Sequence, residues 1–278
     1  MCPFATRVVI LGGVLFGAGG MLKFICRLLG LLCLSFWAHA QAANAVSSST
    51  EAVVARPAAP SVVFLNPGYS TETFWVSYTE FMQAAASGLG LRLRVEYAER
   101  DPQLMIRQAR EVITAKDRPD YLVLVNEQYV APRILQLAQG SGVKLFLVNN
   151  TLTSDQSRLL AEGGTLPAEL LGSLVPNDER SGYLMLKELL RQHGPLAPGQ
   201  TLDLLAFSGK KITPSAQLRE KGLQRALAEH PQVHLRQLVY GEWNRERAYE
   251  QASQLVKRYP QTALVWSAND EMALGAMQ

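Results

Sequence analysis

From Ser61 onward the chain alternates short apolar runs with longer segments whose apolar positions recur at helical spacing. "SVVFLNPG" reads as a strand ending in a turn, and Phe74 to Ser87 as a helix. "LRLRVEYA" alternates and predicts a strand with one buried face. Pro102 to Lys116 is helical, and "YLVLVN" is apolar almost throughout, the pattern of a strand covered on both sides. Pro132 to Gln139 is a further helix, stopped by Gly140 and Gly142, and "KLFLVNN" is another buried strand. Strands alternating with helices predict right-handed crossovers and a mainly parallel sheet.

A polar, Gly-containing stretch from Thr151 to Ala168 interrupts this rhythm. It restarts with the short strand "GSLV" and a helix capped by Asn177 or Asp178. "LDLLAF", "VHLRQLVY" and "TALVW" follow as strands, with helices over Ser215 to Glu229 and Arg245 to Tyr259. Near the end, Asn269-Asp270 offers a cap to the apolar run from Met272, with Asp270 expected to be the capping residue. The pattern predicts two similar α/β units, residues 61–174 and 175–278, with a crossover near Val175.

The residues ahead of Ser61 read differently. Between Met21 and Ala45 a basic start (Lys23, Arg27) precedes the apolar "LLGLLCLSFW" and then "AHAQAANA" with its small-x-small sites, the layout of a secretory signal peptide. Residues 1–43 are therefore assigned to a signal region with Met21 as the true start, and 44–60 to a Ser/Ala/Pro linker. The alternative is a membrane anchor built from this segment and the uncharged run Val8 to Leu22.

Composition narrows the chemistry. Cys2, Cys26 and Cys33 are the only cysteines and all precede the expected cleavage, so the mature chain holds no disulfide, thiol nucleophile or zinc–cysteine site. Of 27 basic residues, three lie in the leader, leaving 24 against 24 acidic ones. A neutral protein has no electrostatic footprint for nucleic acid. His193, His230 and His234 sit at helix ends or on a surface-like strand, and "FSGKK" fails as a phosphate loop because Lys211 stands where Ser or Thr is needed. No nucleophile elbow, metalloprotease pair or dinucleotide fingerprint occurs, so no enzyme, metal or cofactor is expected.

Polar and aromatic groups gather instead at the carboxyl ends of the predicted strands, where open parallel sheets bind ligands. Tyr69, Phe74 and Trp75 follow the first strand, Asn149 and Asn150 the fourth, Trp243 and Asn244 "LVYGE", and Asn269 "LVWSA"; Arg219 opens a helix. Flat aromatic faces with neutral amides and one Arg suit a polyol, whose C–H faces stack while its hydroxyls meet amides and guanidinium. Each residue also has a plainer role. One of Phe74 and Trp75 is expected to pack into the core, Trp266 is a core residue, the asparagines are frequent turn caps, and Arg219-Glu220-Lys221 fits a solvated helix face.

"NDEMALGAM", "FWVSYTEFMQAA", "VPNDERSGYLML" and "AQLREKGLQRAL" together resemble the landmarks of type I periplasmic solute-binding proteins of the ribose/galactose group, which includes autoinducer-2 receptors. The resemblance runs from Ser61 to Gln278. It implies a two-lobed α/β fold, each lobe a mainly parallel sheet flanked by helices, with a second lobe that continues beyond Gln278. It also implies a small sugar-like ligand stacked by Phe74, Trp75 and Trp243 and hydrogen-bonded by Arg219 and Asn269. Ribose-binding members usually carry Asp-Arg where this chain has Asn149-Asn150, and the loop holding Tyr69 is longer than theirs. The family's partner is an inner-membrane ABC permease or, in signalling members, a sensor kinase or cyclase; a periplasmic monomer is expected.

Overall fold

The computed structural model describes residues 59–161 and 166–278; the signal and linker assignments lie outside them, apart from the last two linker residues. Among the described residues no helix is long and apolar enough to cross a membrane.

Two parallel sheets organise the chain. The first contains β1 (Ser61–Asn66), β2 (Arg92–Tyr97), β3 (Tyr121–Leu124), β4 (Lys144–Val148) and β5 (Leu170–Leu174) in the order β2-β1-β3-β4-β5. The second contains β6 (Leu202–Ser208), β7 (Val233–Tyr240) and β8 (Thr262–Ser267) in the order β7-β6-β8. Every pairing is parallel, so each connection within a sheet is a crossover, carried by α1 (Thr73–Gly88), α2 (Pro102–Thr114), α3 (Ala131–Ala138) and the β4–β5 connection in the first sheet and by α6 (Pro214–Glu229) and α7 (Arg245–Arg258) in the second; α5 (Asp178–His193) leads from one sheet to the other. In both sheets the order reverses beside the first strand, β1 or β6, and that switch point opens a crevice at the strands' carboxyl ends.

Each unit buries its own core. Leu65, Leu122, Leu124 and Leu147 pack with Met105, Ile134 and Leu135 beneath α2 and α3, and Phe64, Trp75, Val125 and Val148 form a smaller cluster on the opposite face, against α1. In the second unit Leu204, Phe207, Leu223, Leu264 and Trp266 form the centre. Trp266 is a core residue as expected, and its indole N–H donates to the Gly182 carbonyl at 3.2 Å.

Local chemistry sets several boundaries. Asp101 caps α2 by accepting from the Gln103 amide, with Pro102 in the first turn. α2 ends at Thr114, short of Lys116, because Ala115 is already extended. The polar stretch after β4 contains a helix that the hydrophobic pattern misses, α4 (Ser154–Leu160): Thr153 and Gln156 form a reciprocal capping box. Asn177 caps α5. The final helix, α8 (Asp270–Met277), is capped by Asn269, whose Oδ1 accepts from the Met272 amide at 3.0 Å; Asp270 lies in its first turn.

Candidate ligand-binding site

Among the described residues, the non-glycine positions with left-handed backbone are Glu99, Arg100, Gln128, Tyr129, Asn149, Glu242 and Trp243. All lie within a few residues of the carboxyl ends of β2, β3, β4 and β7. Such conformations cost energy for side-chain-bearing residues, and they concentrate where loops are held for a purpose. A cavity of about 450 Å³ opens at the same ends, with Tyr69, Glu72 and Arg100 on one wall and Lys210, Trp243 and Asn244 among those on the other. Beside it the two units touch, the Tyr129 hydroxyl donating to Gln217 Oε1 at 2.7 Å.

The aromatic candidates separate. Tyr69 is half exposed and lines the cavity, as does Trp243. Trp243 lies against Gly209, where a Cβ would fall 2.0 Å from the indole, so the loop after β6 needs glycine to let the ring approach. The Arg219 guanidinium carbon stands 5.7 Å from the Trp243 ring centroid. Trp75 is different: it is 2% exposed, backed by Gly68 and packed on Phe64, Val125 and Val148. Its expected place as a stacking face is corrected; it belongs to the core. Phe74, 49% exposed and edge-on to Trp75 at 4.9 Å, is the member of the pair that stays open.

Arg219 is no solvated helix residue. Its Nε and NH2 both reach Asp178 Oδ1 at 2.8 Å, and its NH1 donates to the Ala268 carbonyl at the end of β8. Burial pushes the Asp178 carboxyl above its ordinary pKa, with Arg219 opposing the shift. The pair fixes Arg219 beside Asn269. The Asn269 Oδ1 caps α8, so the donor end of its amide, Nδ2, plays no part in the cap. Asn244 likewise caps α7 with its Oδ1 and reaches the cavity. Asn149 holds a left-handed corner after β4, and the neighbouring Asn150 is buried with its Nδ2 unpaired.

A charged cluster was missing from the sequence expectations. Arg100 Nε and NH2 grip both oxygens of Glu72, and NH1 donates to Glu127 Oε1 at 2.7 Å. Burial works against the Arg100 charge, but the two carboxylates outweigh it and hold its pKa up. Burial raises the Glu127 pKa, opposed chiefly by Arg100. The expectation of neutral amides with a single Arg therefore does not hold. The available signal was "ERDP", a charged pair directly after a strand's carboxyl end, together with Glu72 inside the first loop. Among the described residues no group of His, Cys, Asp and Glu is arranged to hold a metal ion.

Residues 62–278 match the family model for the periplasmic binding protein domain. The chain belongs to that family. Among solved structures, the family member described as a periplasmic sugar-binding protein from Pseudomonas fluorescens is 69% identical, with a TM-score of 0.71, covering 78% of this chain and 63% of its own. An ABC transporter periplasmic solute-binding protein from Actinobacillus succinogenes 130z, solved with bound D-allose, has 20% identity and a TM-score of 0.66, covering 78% of this chain and 71% of its own. At that identity it shows the fold alone. The D-allose-binding periplasmic protein of Escherichia coli strain K12 is 23% identical over 145 residues, 52% of this chain and 44% of that one. This chain therefore spans less than two thirds of the length of the first of these structures and less than half of the Escherichia coli protein. The two-lobed, mainly parallel α/β architecture is the fold of the family's sugar-binding members.

Proposed function

We propose that this chain captures a small sugar or sugar-like molecule between its two lobes and delivers it, in the periplasm, to an inner-membrane ABC permease. The observation that carries this reading is one cavity walled from opposite lobes by aromatic residues, Tyr69 and Trp243, with hydrogen-bonding side chains between them. A sugar ring offers both surfaces such a site needs: apolar C–H faces for the rings and hydroxyls for Asn244, with Arg219 and Asn269 outside the cavity lining but at the neighbouring end of β8, Arg219 against Trp243. Phe74 and the Asn149-Asn150 corner border the same strand ends. The names of the 69% identical structure and of the Escherichia coli protein, which bind sugars in the periplasm, support the ligand class. Delivery to an ABC permease is supported by the solute-binding protein solved with D-allose.

Isothermal titration with D-allose and a panel of neutral pentoses and hexoses tests this. At least one member is expected to bind reversibly and to be recovered unaltered. Trp243→Ala should weaken that binding by about 1–3 kcal/mol, as loss of a stacked aromatic does. Conversion of the sugar, or equal affinity in the variant, contradicts the reading.

A further inference from the structure

The cleft's first-lobe wall carries a device that stacking does not explain. Three consecutive strand ends in space, those of β1, β2 and β3, each contribute one charged group: Glu72 from the loop after β1, Arg100 after β2 and Glu127 after β3. Arg100 is held in left-handed backbone, its carbonyl accepts from Gln128, and its side chain is 10% exposed. Glu72 Oε2 also accepts from the Tyr69 amide at 3.3 Å, so the cluster positions the loop that carries the first-lobe ring. A salt bridge needed only for stability would gain little from this placement, since desolvation offsets most of its attraction.

The hydrogen-bond count leaves spare donors in the cluster. The guanidinium has five N–H groups, of which three are used. Two N–H donors therefore stand beside carboxylate lone pairs on a wall that the cavity reaches at Glu72 and Arg100. Paired hydroxyls fit this pattern, one accepting from the guanidinium and the other donating to a carboxylate. The cluster itself is negative by one charge, and the cavity's other charged residues are Lys210, Arg247, Glu242, Glu246 and Glu250, which together are also negative by one. A carboxylated or phosphorylated ligand would meet a net negative field, in which Lys210 on the opposite wall is the cation that favours it.

We propose that Arg100, clamped between Glu72 and Glu127, is a specificity-determining residue of the cleft that selects an uncharged polyhydroxylated ligand over its acidic counterpart. The inference rests on the cleft being the sugar site.

The test is titration of the unaltered protein, Glu72→Gln, Arg100→Lys, Lys210→Met and Trp243→Ala with neutral hexoses, D-allose included, and with the corresponding uronic acids. The unaltered protein should prefer a neutral sugar by about tenfold or more. Glu72→Gln should weaken neutral-sugar binding about tenfold and narrow that preference, and Arg100→Lys should weaken it by a similar factor because a point charge cannot replace the fork. Lys210→Met, which leaves the cluster's hydrogen bonds intact, should widen the preference about threefold by removing a cavity cation that also acts on Glu127; a preference that does not widen overturns the selection even if the cluster variants fail to fold. A uronic acid bound as tightly as its neutral parent overturns the selection. Unchanged affinity and preference in folded Glu72→Gln and Arg100→Lys, beside lost binding in Trp243→Ala, overturn the role of Arg100 while leaving the sugar site standing. No binding of any neutral sugar to the unaltered protein overturns both.

Discussion

Trp75 and Trp243 show how one residue type takes opposite parts. Both lie against a glycine after the first strand of a sheet, Gly68 and Gly209. Trp75 is enclosed on all sides and Trp243 keeps a face toward the cavity. Trp75→Ala should therefore cost about 3–5 kcal/mol of stability, read from the urea midpoint, whereas Trp243→Ala should act mainly on binding. The sequence could offer Phe74 and Trp75 as a pair but could not separate them, because which ring turns inward depends on the path of the 66–72 loop. The sequence offered Asp178 only as a candidate helix cap, and its pairing with Arg219 was hidden for a similar reason: the two lie 41 residues apart, and only the packing of α5 on α6 brings them together. Since burial raises the Asp178 pKa in the folded state, the folded protein holds that proton more tightly than the unfolded chain. Its contribution is then fully present below the unfolded value of 3.8 and is lost as pH rises toward the folded one. Urea midpoints measured across this range should show the unaltered protein losing stability relative to Asp178→Asn as pH rises; a gain would contradict the shift.

At the scale of elements, α5 and α6 approach backbone to backbone at two glycines. A Cβ on Gly182 would fall 2.0 Å from the Arg219 carbonyl oxygen, and one on Gly222 would fall 1.9 Å from that of Glu179. Both obstacles are backbone, so Gly182→Ala must separate the helices, at a cost of about 1–3 kcal/mol or more, and must shift Arg219 with them. Gly88 provides the contrast, at the end of α1 with open space around it; Gly88→Ala should stabilise by up to about 1 kcal/mol. Comparing the two denaturation midpoints checks the packing directly. The β/α alternation was readable because parallel strands covered on both faces leave unbroken apolar runs such as "LVLV" and "LFLV". α4 was not, because it buries no side chain and so carries no amphipathic stripe; its only mark is the Thr153-x-x-Gln156 capping box.

For the whole molecule, the parallel sheets and their helices followed from pattern alone, and the resemblance of short motifs named the family correctly. The wall of the cleft was legible only in part. Aromatics and amides at strand ends stood out, while Glu72, Arg100 and Glu127, 27 to 55 positions apart along the chain as successive members and as a set, become one group only when β2, β1 and β3 align. Lobes that close on a ligand exclude water from both walls together, which strengthens every hydrogen bond made there. One sugar held by both lobes must shield the strand ends of each. Hydrogen–deuterium exchange, with and without a saturating neutral sugar found by titration, tests this most directly. Residues 69–75 and 99–101 in the first lobe and 241–244 and 268–272 in the second should gain protection together. Protection confined to one lobe, or none at either set of strand ends, would contradict binding by both lobes.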